Sequence, residues 1–461
     1  MLGPMLLLTL LLAQAPPAPS DAEAPPGDAV TAAPFGLVLQ NATLLDADGE
    51  QQTDLLIHDG VIHAIGPDLV GAENVDLEGA VVTPGLIDGH VHTTVMPGQP
   101  LADRDWDALR AQAMRAYVAA GVTTVLDGVG YPAELEEVRA LEVRPDVQAL
   151  GSPPILAESY GTAVLADLPV ITDVESLRQH LRAEARRDIV GLKVLQEHGL
   201  VRDTWPVLEG ELAETLVEEA ALHELPLYVH AMSGEEVLEA MELEPHALMH
   251  TPLRAAPDAA AAMAEADIWV VSTLNISVSG LIEFTGLDDP LARLLVPTEL
   301  REATQDPALQ HASRVAQAQI ALPGAPEFLW KRPVNQRVYQ RVADAHIDSV
   351  RLLHEAGVKL VMGSDAPGWP VLLNGVHGYS TIMELEHLEA AGLSPLEVLR
   401  ASTAHGADMM GLEDRGRIQE GLRADLVVHR QDPRQSVGAW RELRYVIKSG
   451  ELRTPAEWLA D

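Results

Sequence analysis

Cysteine is absent from the 461 residues. That excludes disulfides, thiolate zinc sites and a cysteine nucleophile, and leaves any metal to histidine, carboxylate or a lysine-derived oxygen. An exported protein can do without disulfides when it is large enough to bury a substantial core, and a chain of this length is. Positive charge is scarce as well: Lys and Arg number 31 against 69 Asp and Glu, a formal net charge of −38 with neutral histidine. Such a surface repels nucleic acid and anionic membranes, so neither is expected as a partner. A long apolar run is also missing. The N-terminal apolar core, residues 5–13 of MLGPMLLLTLLLAQAPP, is too short to span a bilayer, and no stable membrane insertion is expected. With the small-residue site Ala13-Gln14-Ala15 it reads as a secretory signal peptide over residues 1–15, which places the protein in the periplasm or outside the cell. No Lys or Arg precedes that core and Pro16 follows the cut, so an uncleaved anchor stays open as the competing reading. Residues 16–34, rich in Pro, Ala and Asp and without periodicity, read as a disordered linker.

The most informative stretch that is present is residues 81–92, VVTPGLIDGHVH. Successive side chains of a strand point to opposite faces, so His90 and His92 project the same way from a strand end. That is one half of a metal site. By itself the pair says little, because 17 histidines in a chain this long give one His-x-His by chance about once in every two such chains. Upstream, NATLLD (41–46), DLLIHDG (54–60) and VIHAIG (61–66) are short apolar bursts broken by Asp-Gly and Gly-Pro, which read as small antiparallel strands and turns.

From residue 101 the period changes. Residues 107–121 are helical and end at Gly121, followed by the β-branched VTTVL of 122–126. The same helix-then-strand order leads to IVGLKVL (189–195), LPLYVH (225–230), HALMH (246–250), IWVVS (268–272) and VKLVMG (358–363). Alternation on this scale argues for parallel strands with crossover helices. About eight strands can be placed, the third near residues 147–150, and the fold class is an α/β closed (β/α)8 barrel. The segment at about 276–337 is an insertion with six prolines between residues 281 and 333 and little clear pattern after Arg314. After a barrel strand it would cover the active face, so it reads as a substrate lid or wall. Ser394-Pro395 is a helix start, N-cap followed by Pro at the first position.

Chemistry in a parallel barrel gathers at the C-terminal strand ends. His90 and His92 close strand one, Lys193 lies within the apolar GLKVL of strand four, His230 ends strand five, His250 ends strand six, and Asp365 follows strand eight in GSDAP. Each has a bland reading. A lysine in an apolar strand can be salt-bridged, a lone histidine is commonly a satisfied core residue, and Gly-Ser-Asp is commonly a turn. His246 and His250 share a helical zinc spacing, but no HExxH glutamate accompanies them and Pro245 opposes a helix, so His246 reads as structural.

PGLIDGHVH at residues 84–92 resembles the amidohydrolase superfamily, in which this motif opens the first strand of a metal-bearing barrel, and the resemblance runs from about residue 37 to 452. The close at 416–428, GRI…GLRADLVV, is similar to that superfamily's last strands. It implies a small discontinuous β-sandwich domain built from residues 35–84 and 412–454 around a barrel of 85–411. It also implies that His90, His92, Lys193, His230, His250 and Asp365 hold two divalent ions, zinc by first choice, with Lys193 carrying a CO2-derived carbamate. The ions would share an activated hydroxide, and Asp365 would act as general acid and base on an amide-type C–N bond. Deaminases of the superfamily carry Glu three residues after the strand-five histidine. Here Ser233 stands there, which with Lys193 favours hydrolysis. The LYVHA of strand five looks like the imidazolonepropionase-related branch with prolidase-like dipeptidases, although Gln196-Glu197-His198-Gly199 replaces its Gly-rich stretch. An N-acyl amino acid, a dipeptide or a cyclic amide is the expected small-molecule substrate. A lactone or ester hydrolase on the same site, a non-catalytic metal-binding barrel, and a homo-oligomer stay open. Loop position nominates Tyr160, His198, Asn275 and Trp369 as substrate contacts, each equally readable as packing or solvated.

Overall fold

Eight short strands, each parallel to the next in sequence, form the centre of the molecule: Leu86–Val91, Val122–Asp127, Asp146–Gly151, Gly191–Leu195, Leu227–His230, Ala247–Leu248, Trp269–Val271 and Lys359–Val361. The register runs from Leu86 beside Val122 through Leu192 beside Leu227 to Trp269 beside Lys359. Backbone bonds from Gly89 N to Met362 O (2.9 Å) and from Asp365 N to His90 O (2.8 Å) join strand eight to strand one. The barrel therefore has no free edge, and the third strand, the least marked in the sequence, takes its place in the ring. The computed structural model describes residues 35–94, 105–165, 168–199, 205–278, 286–321, 336–368 and 375–460. The apolar start and the linker of residues 16–34 lie outside the described residues.

The strands form because they are buried on both faces. All six residues of Leu86–Val91 and of Val122–Asp127 are inaccessible, as expected where helices cover a parallel sheet. Inside the ring Ile87, Leu126, Leu150, Tyr228 and Val361 pack together, and Tyr228 donates its hydroxyl to Met409 O at 2.9 Å, which fixes the helix Ala404–Met409 under the barrel. Gly191 makes room for that tyrosine: a Cβ there would lie 2.4 Å from the ring. The covering helices have explicit starts. Asp105 accepts from Ala108 N, Asp173 and Ser176 cap each other reciprocally, and Ser233 with Glu236 does the same before Gly234–Ala240.

A second sheet gathers both ends of the described chain. Leu37–Leu45, Glu50–His58, Val61–Gly66, Glu73–Asp76 and Val81–Pro84 join Leu426–His429, Leu443–Lys448 and Glu451–Arg453. The strand Val81–Pro84 is its seam, parallel to Leu37–Leu45 and antiparallel to Leu426–His429. It passes through Gly85 straight into the first barrel strand. Ion pairs tie this sheet to the barrel: Lys448 Nζ lies 3.0 Å from Asp425 and 3.4 Å from Asp146, the first residue of strand three.

The insertion before strand eight is more regular than its composition suggests. Pro290–Leu295, Thr298–Ala303 and Pro307–Ala321 are helices, followed by Gln336–Glu355. The expectation of little pattern after Arg314 is thereby corrected as far as Ala321, because Arg314 sits inside a helix started by Pro307, with Asp306 accepting from Ala308 N at 2.7 Å; the rest of that stretch, 322–335, lies outside the described residues. Leu291 and Leu295 are buried in the main core, and Asp289 accepts the Tyr379 hydroxyl at 2.7 Å.

Candidate metal centre

The site is built from strand one outward. Asp88 is fully buried and accepts from His90 N (3.3 Å), Ser364 N (2.9 Å) and Thr381 Oγ1 (2.7 Å). Burial pushes its carboxyl up to about 6. It binds the root of the histidine pair to the segment after strand eight, where Asp365 adopts the left-handed φ of 52°. That strained backbone aims the carboxylate back at strand one. Asp365 Oδ1 lies 3.2 Å from His90 Nε2 and 3.0 Å from His92 Nε2. Potential ligand atoms of these three side chains all fall within 4.8 Å of one another.

The remaining imidazoles continue the cluster. Ring centroids are 5.2 Å apart for His92 and His90, 4.9 Å for His90 and His250, and 4.5 Å for His250 and His230. Lys193 is 3 % exposed on strand four, in the electrostatic reach of His90, His250 and Asp365. Burial lowers its amine from 10.5 to about 7, against the opposing pull of Asp365 and Asp127. Burial, then the Lys193 charge, brings His90 down to about 3, and burial with the neighbouring His230 and His90 holds His250 well below its ordinary value. For Asp365 burial pushes upward, but His90 and His92 outweigh it and keep the carboxyl well below the usual range. The six side chains singled out in the sequence thus lie together at one end of the barrel.

These residues fit divalent metal. Neutral imidazoles and an ionised carboxylate are donors suited to zinc and its neighbours, and no thiolate competes. The Nε2 atoms of His90 and His92 converge on Asp365, while their Nδ1 atoms are buried without a hydrogen-bond partner among the described residues. Two imidazoles and a carboxylate whose donor atoms all lie within 4.8 Å of one another are spaced to close on one cation.

Several residues that the sequence did not single out organise the cluster. Asp127, ending strand two, accepts from Thr93 N (2.7 Å) and Thr93 Oγ1 (2.6 Å) after the histidine pair and from Gly130 N (2.8 Å) on its own loop. His250 Nδ1 meets Thr273 Oγ1 at 3.0 Å, and Thr273 has a φ of 49°. Glu384 is fully buried and accepts from Ser272 Oγ (2.6 Å), Leu274 N (2.8 Å) and Asn275 N (2.9 Å), which pins the loop after strand seven. Glu197, 3 % exposed, lies 3.3 Å from His230 Nε2. An acid inside an apolar strand, such as Asp88 or Asp127, carries the same cue that marked Lys193: it is expensive unless partnered.

The four nominated substrate contacts separate. Tyr160 stacks on His230 with centroids 5.0 Å apart and an interplanar angle of 25°, backed by Trp205 at 5.2 Å. His198 turns to Glu239, with Nε2 and Oε2 2.7 Å apart. Asn275 is buried and donates its amide to Ser380 O at 2.7 Å, so its polar end is engaged in packing. Trp369 lies outside the described residues. His246 reaches Met409 O at 2.8 Å, a structural contact.

Comparison with known proteins gives a consistent picture. A family model described as "Amidohydrolase family" matches residues 81–453. An allantoinase from Bacillus licheniformis is 38% identical over 94 residues, 20% of this chain and 20% of that protein. A D-phenylhydantoinase from Escherichia coli is 24% identical over 213 residues, 43% of this chain and 45% of that protein. The matches therefore span about a fifth to under half the length of these curated relatives. Among solved structures, a Xaa-Pro dipeptidase with methionine bound in its active site superposes with a TM-score of 0.68 at 18% identity, covering 90% of this chain and 99% of that one.

Proposed function

The chain belongs to the amidohydrolase family, and from that premise we propose that it is a metal-dependent hydrolase of an amide-type C–N bond in a small molecule. The observation that carries the reading is the run of four imidazoles, closed by Asp365 and set around Lys193 at one end of the barrel. His90, His92 and Asp365 would hold one divalent ion and His230 with His250 a second, with Lys193, as its carbamate, supplying oxygens to both. When bound, such a pair supplies Lewis-acid polarisation of a carbonyl and acidification of water.

The chain's own residues do the rest. Asp365, kept ionised by its imidazole partners, takes a proton from the attacking water onto its carboxylate and delivers it to the leaving nitrogen. Burial raises the Tyr160 hydroxyl above its ordinary value, so it stays protonated and can donate to the substrate, while its ring and Trp205 form an aromatic wall. Asp88 and Asp127 hold the strand ends so that the histidine pair needs no rearrangement.

Hydrolysis is favoured over deamination by the fate of Glu236. Its Oε2 accepts from Met232 N (2.9 Å) and Ser233 N (2.8 Å) and its Oε1 from His198 N (2.9 Å), so it is committed to loop architecture, and Glu235 is exposed. Relatives named for allantoin, phenylhydantoin and Xaa-Pro dipeptides direct the test: metal analysis with a panel of cyclic amides, dipeptides, N-acyl amino acids and lactones. Two zinc ions per chain and turnover of an amide support the reading. Full metal occupancy with turnover of lactones alone, or of nothing, overturns it. We also propose export through residues 1–15, checked by cell fractionation and the N-terminal sequence of the mature protein.

A further inference from the structure

Strand four leaves the barrel as Gln196-Glu197-His198-Gly199, and each of its side chains has a definite engagement. Gln196 exchanges two bonds of 3.1 Å with the backbone of Leu208, and its own N donates to His230 O at 3.0 Å. That last bond extends the pairing of strands four and five by one residue, and it holds the next residue, Glu197, against the end of strand five. Glu197 Oε1 accepts from Gly199 N at 2.9 Å and Oε2 faces His230 Nε2 at 3.3 Å. A carboxylate buried to this depth is tolerated only when both oxygens are engaged, and these are.

The partner of one ring nitrogen decides the role of the other. With Nε2–H donated to Glu197, His230 presents the lone pair of Nδ1. Tyr160, stacked on the same ring, blocks its rotation. His250 is fixed in the opposite sense, through Nδ1 on Thr273 Oγ1, and so presents Nε2. The strand-one histidines have no such support among the described residues, where their Nδ1 atoms are unpartnered. The two halves of the cluster are therefore held by different means: His90 and His92 through their backbone N–H groups, on Asp88 and on Ala366 O, and His230 and His250 by side chains on their rear nitrogens.

We propose that Glu197 is the positioning carboxylate of His230, setting its tautomer and thereby the affinity of the His230–His250 half for a divalent cation. The inference rests on the metal-centre reading above. Glu197 is not itself a ligand or a catalytic residue. It acts through the imidazole, and its loss is felt in one ion and not the other.

The test uses the full-length protein, stripped of metal and reloaded with zinc and bicarbonate under chelator competition. Glu197→Gln keeps the shape and removes the charge, and Glu197→Ala removes both. Both should weaken one of two zinc sites by about 10- to 100-fold, the usual effect of losing such a partner, and leave the other within about twofold, with the metal-free protein still unfolding in one cooperative transition. Nitrogen-15 spectra of the wild-type metal-free protein labelled at histidine should show His230 protonated on Nε2, a readout that needs no variant. Two unaltered zinc affinities in both variants, equal weakening of the two sites, or a His230 protonated on Nδ1 each overturn the proposal while leaving the metal centre intact. Failure of the wild type to bind zinc overturns the metal-centre reading, and this inference with it.

Discussion

Replacing Lys193 with Met should stabilise the metal-free protein and abolish its metal centre. The amine falls from 10.5 to about 7 on folding, chiefly through burial. At about 1.4 kcal/mol per pH unit that difference withholds up to about 5 kcal/mol of folding free energy. The sign follows from which form the fold rejects. The unfolded chain keeps its proton between pH 7 and 10.5 while the folded one releases it, so stability rises with pH across that window. The cost is complete below pH 7 and gone above 10.5. Methionine fills a similar volume without a charge, so Lys193→Met should exceed wild type by about 2 to 5 kcal/mol at pH 6, allowing for relaxation around the buried amine, and the gap should close toward pH 10. The same lowered value leaves about half the amine neutral at pH 7, roughly a thousandfold more than an ordinary lysine, and only the neutral amine adds CO2. Zinc uptake by CO2-stripped wild-type protein should therefore depend on added bicarbonate, and uptake by the variant should not respond. Urea unfolding at pH 6 and 10, with zinc stoichiometry at each bicarbonate level, measures both effects. A variant no more stable than wild type at pH 6, and still holding two zinc ions, would refute the reasoning.

Asp365→Asn should fold and lower kcat by about 10²- to 10⁴-fold, the usual yield of a positioned acid–base group; steady-state rates within a few-fold of wild type would remove Asp365 from proton transfer. Burial raises Glu384 from 4.5 to about 8, so its contribution is whole below pH 4.5 and is lost as pH climbs through 8. Relative to Glu384→Gln, the wild type should lose about 2 to 5 kcal/mol between pH 5 and 8, and parallel urea midpoints across that range would contradict the assignment. Chelation should abolish turnover and zinc should restore it, as read in one continuous assay.

Much of the ring was visible in the sequence because period two and period 3.6 differ plainly in runs such as 107–126, and because buried strands leave apolar signatures. The site residues stood out where a polar group interrupted such a run at its C-terminal end, as Lys193, His230 and His250 do. What supports them was less visible. Glu384 lies more than a hundred residues from Leu274 and Asn275, whose amides it accepts, and no local pattern encodes that meeting. In the sequence Glu197 is only a departure from a glycine-rich stretch; its pairing with His230 depends on the register of two neighbouring strands. In the insertion, Asp289-Pro290 and Asp306-Pro307 are both N-cap and first-position signals for the helices that follow them. In both places proline begins a helix rather than ending one.

The seam strand Val81–Pro84 places a constraint on biosynthesis. On the ribosome every candidate ligand has been translated once residue 365 is in place, yet one side of the seam is still missing until Leu426–His429 is made. A nascent chain is therefore chemically equipped before it is mechanically braced, and cation capture by the half-built enzyme would meet a histidine pair whose strand is not yet clamped from both flanks. A chain cut short after residue 411 would therefore carry every candidate ligand and still lack one flank of the strand that leads into the histidine pair.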